Sequence, residues 1–278
     1  MQITEVEDIV HVLGISGGKD SAALAIHMRD KIPQMHYYFC DTGEELAETY
    51  EYLGILETCL GKPIKRLNPD RPFSHYLKVY SNYLPSPRMR WCTAMLKLKP
   101  FEDWLENEFA GRKVRSYVAI RADEDRDGYI SHKPQIETVY PFKQDGIGRD
   151  DVIKILEEFS VGVPSYYDWR TRSGCYFCFF QRKAEWVGLK ERHPDLYEKA
   201  KSYEKTEPDP VTGRRYTWSQ NESLDELEQP ERVAQIKAGH SALMAREAAR
   251  KKPARLLEMF EEALDAEDDT EPCMMCHL

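Results

Sequence analysis

The succession of apolar and polar positions along the chain predicts strands and helices in alternation. Ile9 to Ile15 is mainly apolar and β-branched and ends in glycines, the pattern of a buried parallel strand. Ser21 to Met28 is rich in helix formers. Met35 to Cys40 predicts a second strand, closed by Asp41-Thr42-Gly43, and Leu46, Tyr50, Leu53 and Leu60 then recur at near-helical spacing. Ile64 to Leu67 and Val114 to Ile120 predict two more strands, and Asp150 to Leu156 a capped helix start. Such alternation predicts an α/β fold built on a doubly wound, mainly parallel sheet. Beyond Pro208 the pattern becomes helical and charged, with Ser223–Lys237, Ser241–Lys251 and Ala254–Leu264 as helices punctuated by Pro230 and Pro253. The expected organisation is an α/β domain over 1–205 and a helical, acidic appendage over 206–278, with a linker near Thr206 to Arg214.

Composition narrows the classes. At 278 residues the chain can bury one sizeable core. No apolar run is long enough to cross a bilayer, and Met1 to Glu7 is acidic where a secretory signal is basic and then apolar. A cytoplasmic protein with no membrane association is expected. A net charge of −9 argues against a whole-body grip on nucleic acid, but much of the acid lies in Glu261 to Glu271, which leaves room for a local basic cleft. Seven cysteines include the pairs Cys175/Cys178 and Cys273/Cys276, each spaced Cys-x-x-Cys. In a reducing compartment such pairs are more often metal ligands or redox thiols than disulfides.

The most informative stretch is Ser16-Gly17-Gly18-Lys19-Asp20-Ser21, between a predicted strand and a predicted helix. Two glycines let amide N–H groups approach an anion closely, the helix start adds partial positive charge, Lys19 a full one, and Ser16 and Ser21 add hydroxyls. Asp20 is unexpected beside a polyphosphate; it suits a helix cap or a carboxylate that holds Mg²⁺. This is not a Walker A loop: it is one residue short of that spacing, and Asp20 stands where Ser or Thr is required.

The hexapeptide resembles the PP-loop of the N-type ATP-pyrophosphatases, and the chain resembles their phosphoadenosine-phosphosulfate (PAPS) reductase-like branch. Tyr38 to Glu45, Arg90-Trp91-Cys92-Thr93 with Leu96 to Pro100, Ile120 to Arg126, and Gly174 to Cys178 are similar to that branch's successive signatures. The resemblance implies a nucleotide-binding domain of the PP-loop type that uses ATP and Mg²⁺. Asp41, Thr42, Gly43 and Glu44 follow a strand's carboxyl end, where ligands of open α/β sheets bind, and can accept ribose hydroxyls or cap the next helix. Arg121 and Arg126, with Glu124 to orient them, suit bidentate contact with phosphate; a solvated charge cluster is the plainer alternative. Lys19, Asp20, Arg121 and Arg126 are the expected catalytic groups.

Cys175 and Cys178, with Cys92 as third and Cys276 as a possible fourth ligand, suit zinc or a [4Fe–4S] cluster; a metal-free thiol pair is the alternative. Trp91-Cys92 carries one cysteine where the cluster-bearing reductases carry two. Cys276-His277 is similar to the tail thiol of the PAPS reductases, without their glycine. Arg88, Arg90, Arg170, Arg172, Arg182 and Lys183 interleave with aromatic residues, as a nucleic-acid backbone and unstacked bases require. The resemblance extends to the enzymes of DNA phosphorothioation, the Dnd and Ssp-type systems. It implies an enzyme that adenylates a DNA phosphate for sulfur insertion, with a cysteine desulfurase and other modification-complex subunits as partners, and a homodimer as one assembly. A sulfonucleotide reductase, a tRNA-thiolation enzyme and a non-catalytic nucleotide-binding subunit are the alternatives.

Overall fold

The computed structural model describes residues 9–126, 133–208, 210, 213, 215–219 and 222–249. Along the chain run β1 (Val10–Gly14), α1 (Lys19–Arg29), β2 (His36–Cys40), α2 (Ala47–Leu60), β3 (Ile64–Leu67) and α3 (Phe73–Val79). The short α4 (Trp91–Thr93) passes through a π-helical stretch, Ala94–Leu98, into α5 (Lys99–Phe109). There follow β4 (Val114–Tyr117), β5 (Ile136–Val139), α6 (Pro141–Gln144), α7 (Arg149–Glu158), a 3-10 turn at Ser165–Asp168, α8 (Lys183–Arg192), α9 (Pro194–Lys201), α10 (Leu224–Leu227) and α11 (Pro230–Ala249).

All neighbouring strands pair in parallel, in the order β3-β2-β1-β4-β5. Strand side chains point alternately to the two faces. Leu13, Tyr37 and Phe39 therefore enter a core with α1, α2 and α7, whereas Val12, Tyr38 and Cys40 enter another with Phe101, Trp104 and Leu105 of α5. Both faces are covered, which is why these strands are apolar throughout rather than alternating. The doubly wound α/β expectation holds. The order also reverses between β1 and β4, and ligands of open α/β sheets bind in the crevice beyond the strand ends at such a reversal.

Three expectations are corrected. β5, Ile136-Glu137-Thr138-Val139, is a strand that its local pattern does not signal: it is short, carries a charge, and gains its hydrogen bonds from β4. Ser223–Lys237 is not one helix, because Pro230 ends the short α10 region and starts α11, where a missing N–H costs nothing. Conversely, α11 runs unbroken from Pro230 to Ala249 through the gap expected before Ser241. Ala254–Leu264 and the tail with Cys273 and Cys276 lie outside the described residues.

A third core joins the two expected domains. Trp218, Leu224, Leu227 and Ile236 pack in one cluster with Phe73, Trp91, Phe177 and Trp186. The boundary expected at 205/206 thus runs through shared packing. No helix among the described residues is long and apolar enough to cross a membrane.

Candidate active site at the sheet's switch point

The phosphate loop fills the turn between β1 and α1, at the strand reversal. Gly17 has φ +77°, a region that L side chains rarely adopt, and an added Cβ would stand 2.6 Å from Thr49 Cγ2 of α2. Gly18 is the N-cap of α1 and contributes no side chain, so the first N–H groups of the helix are left to other acceptors. Ser21 Oγ accepts the Ser16 N–H at 3.1 Å and lies 3.1 Å from both Ser16 Oγ and the Gly18 carbonyl. These contacts hold the turn open around its amides.

Asp20 neither caps the helix nor stands alone. It is buried, with Lys19 Nζ at 3.3 Å and Arg121 Nη1 at 2.8 Å. Arg121 follows β4, the strand beside β1, so the parallel sheet carries it to the loop from about a hundred residues away. Arg121 also meets Glu124 Oε1 at 2.9 Å and Asp123 Oδ1 at 2.9 Å, while Glu124 Oε2 holds Arg126 Nη2 at 2.5 Å. Burial opposes the Arg121 charge, but its bond to Asp20 and the neighbouring carboxylates outweigh that and raise its pKa. The cluster sets Lys19, Arg121 and Arg126 against Asp20, Asp123 and Glu124. An arriving polyphosphate therefore competes with carboxylates for guanidinium groups that are already oriented.

Three groups close the loop from the far side: Tyr166 and Tyr167, expected only among the aromatics interleaved with cations, and Ser173, which sequence reasoning missed. Tyr166 OH donates to the Gly17 carbonyl at 2.7 Å, Tyr167 OH accepts the Lys19 N–H at 3.3 Å, and Ser173 Oγ donates to Ser16 Oγ at 3.1 Å. Lys19 Nζ also lies 4.9 Å from the centre of the Tyr167 ring. Burial, and then the charge of Asp20, push the Tyr167 phenol up to about 12, so it stays protonated at neutral pH. Nothing local ties these residues to the loop; only the fold brings a segment about 150 positions away onto it.

The turn after β2 divides its work. Asp41 Oδ1 accepts the Gly43 N–H at 2.9 Å and the Tyr50 hydroxyl at 2.7 Å. Glu44 is buried, its carboxylate pairs with Lys199 of α9 at 2.7 Å, and its carbonyl accepts the Tyr176 N–H. Neither caps α2, whose N-cap Leu46 has no side-chain cap bond. Glu44 ties the turn to the cysteine segment. Thr42 Oγ1 lies 3.2 Å from Cys175 Sγ and donates to Glu45 Oε1 at 3.1 Å.

Cys92, Cys175 and Cys178 line one pocket with Thr42, Lys97 and Phe180. The π-helical stretch Ala94–Leu98 supplies Leu96 and Lys97 to its wall, an irregularity often found at functional sites. Buried Arg170 braces the Gly174–Cys175 turn, donating to the carbonyls of Gly174 at 3.0 Å and Cys175 at 2.7 Å. Burial first, and then Glu45, push the Cys175 thiol well above its usual range. That environment keeps the unmetallated thiol neutral. Among the described residues, no three His, Cys, Asp or Glu side chains are grouped so as to hold a metal ion. The three inner cysteines share a pocket, then, without forming a ligand set; Cys276 lies outside the described residues.

Residues 10–134 match the family described as the phosphoadenosine phosphosulfate reductase domain. This stretch, a little under half of the chain, contains the phosphate loop, Asp41, Cys92 and Arg121–Arg126; Cys175 and Cys178 lie beyond it. Over 199 residues, 68% of the chain, the protein is 29% identical to an uncharacterized protein of Methanocaldococcus jannaschii, of which the match spans 40%. A second uncharacterized protein of that organism is 25% identical over 66% of this chain and 45% of its own. The chain thus spans less than half the length of these two relatives. An uncharacterized nin region protein of Escherichia phage lambda is 24% identical over 65% of this chain and 69% of its own. Among solved structures, a PAPS reductase from Candida auris in a phosphate complex aligns over 62% of this chain and 83% of that one, at 12% identity and a TM-score of 0.47.

Proposed function

We propose that this protein is an ATP-pyrophosphatase that adenylates a nucleic-acid phosphate, that of DNA, to activate it for sulfur insertion. The observation that carries the reading is a junction: one segment, Tyr166 to Cys178, both closes the phosphate loop and lines the cysteine pocket. Nucleotide activation and sulfur chemistry would meet there.

In this reading a phosphodiester oxygen attacks the α-phosphorus of ATP. The α–β bridge breaks, pyrophosphate leaves with the bonding pair, and the phosphodiester is left adenylated. The outer sulfur of a persulfide made by a cysteine desulfurase then attacks the phosphodiester phosphorus and displaces AMP, and a thiol cleaves the resulting S–S bond to leave the phosphorothioate and a disulfide. The loop amides and Lys19 offset charge on the departing pyrophosphate, and Arg121, held by Asp20 and Glu124, is placed to do the same where charge develops. Arg126 acts through the same Glu124. Mg²⁺ carried in with ATP supplies further charge neutralisation; Asp20 would be its carboxylate on the loop, in competition with Arg121.

The test supplies labelled ATP, Mg²⁺, duplex DNA, a cysteine desulfurase and cysteine, and measures AMP, pyrophosphate and phosphorothioate. Wild type is expected to make all three, and Lys19→Ala none. DNA-independent sulfite formation from PAPS with thioredoxin, lost in Cys276→Ser, would replace this reading with a sulfonucleotide reductase.

A further inference from the structure

The lip of the cysteine pocket carries a set of cations that the nucleotide site does not use. Phe180, buried in the pocket wall, has the Arg90 guanidinium 5.1 Å from its ring centre and the Arg172 guanidinium 5.0 Å away. Arg90 stands two residues before Cys92, and Arg172 three before Cys175, so each cysteine-bearing segment contributes one. Between Tyr83 and Arg90, a turn closed by mutual backbone bonds of Ser86 and Met89 exposes Arg88. Among the described residues none of these three arginines has a carboxylate partner, and Arg172 Nη2 finds no hydrogen-bond partner at all. A buried guanidinium donor without a partner is destabilising, and an arriving acceptor relieves that cost.

The neighbouring cations are committed. Lys183 and Arg232 pair with Glu222, Lys190 and Lys201 with Glu228, Lys199 with Glu44, and Arg215 with Glu226. In a chain of net charge −9, guanidinium groups without a carboxylate partner, Arg90 Nε donating only to the Pro87 carbonyl at 3.2 Å, mark a place for an anion. Stacking on a ring uses the face of a guanidinium and leaves its N–H edge for bidentate contact with phosphate oxygens. Tyr83, 37% exposed and packed on Tyr216 at 4.4 Å between ring centres, adds an aromatic face beside the same turn. Spaced phosphate donors next to a stacking surface are what a nucleic-acid strand fits.

We propose that Arg88, Arg90 and Arg172, the last two aligned by Phe180, form the landing site of a nucleic-acid strand and lay its phosphates across the mouth of the cysteine pocket. This inference rests on the polymer substrate proposed above and names where that polymer lies.

The test is fluorescence anisotropy of short labelled strands, single-stranded DNA, single-stranded RNA and duplex DNA, over a series of salt concentrations, with ATP affinity measured on the same preparations. Three phosphate contacts predict that log K falls with log salt with a slope of about −2 on a single strand. Arg90→Gln with Arg172→Gln should weaken strand binding about tenfold or more and reduce the slope by about 1.4, and Arg88→Gln should reduce it by about 0.7. ATP affinity should stay at the wild-type value in each, which separates this surface from the phosphate loop. Should the double variant not fold, the slope of the exposed Arg88→Gln decides. Wild-type slopes in these variants, or wild-type protein that binds ATP but no strand, overturn the proposal and leave the nucleotide reading standing. Wild-type protein that binds neither overturns both.

Discussion

Replacing Gly17 by Ala tests whether the phosphate loop is shaped by the conformation and close approach described here. At φ +77° an L residue costs about 1–2 kcal/mol. The new Cβ would also stand 2.6 Å from Thr49 Cγ2, about 1 Å inside a comfortable carbon–carbon contact. Thr49 is 1% exposed in the body of α2 and cannot swing away, so overpacking adds about 1–3 kcal/mol. The sum, about 2–5 kcal/mol, is a large part of an ordinary domain's stability. Thr49→Ser removes the offending methyl but leaves the backbone strain. Urea unfolding followed by tryptophan fluorescence should therefore find Gly17→Ala with Thr49→Ser more stable than the sum of the single effects, by about 1–3 kcal/mol. Additivity within about 0.5 kcal/mol would show that the two sites do not touch and would refute the reasoning. Affinity for Mg-ATP should recover only in part in the double variant, because the strained turn still misdirects the loop amides.

Glu124→Gln should lower ATP cleavage about 10- to 100-fold with unfolding little changed, since it loosens Arg121 and Arg126 together; steady-state AMP release against a denaturation curve checks this. Glu45→Gln should speed alkylation of Cys175, because it removes a carboxylate that helps to hold the thiol above its usual range; the pH profile of thiol labelling, read by mass spectrometry, should move to lower pH. Burial pushes Glu204 up to about 7 although it accepts the Trp218 N–H at 2.9 Å and the Leu224 N–H at 2.8 Å. Folding then favours the protonated form. Its contribution is full below the ordinary Glu range and is lost as pH rises through about 7, so Tm should fall between about pH 5 and 8, less steeply in Glu204→Gln.

Taken alone, the sequence determined the architecture's repeating unit and the chemistry of its contiguous parts. β3 runs from Ile64 to Leu67 as expected, and β1, β2 and β4 lie within their expected spans, because buried parallel strands are written as short apolar runs. The hexapeptide Ser16 to Ser21 was legible for the same reason: strand end, glycine turn and helix start are consecutive residues. Tertiary structure alone decided what the contiguous parts meet. The strand order puts β4 beside β1 and so delivers Arg121 to Asp20; the spacing of about a hundred residues carries no sign of it. Glu44, read as a ribose acceptor or a cap, is paired with Lys199, and Tyr167 and Ser173, neither tied to the loop by the sequence, close it. Hydrophobic periodicity records which face of an element is buried, because burial is a property of each residue's surroundings averaged over its neighbours. It does not record which partner covers that face, since apolar contact is non-directional and many partners would satisfy it equally.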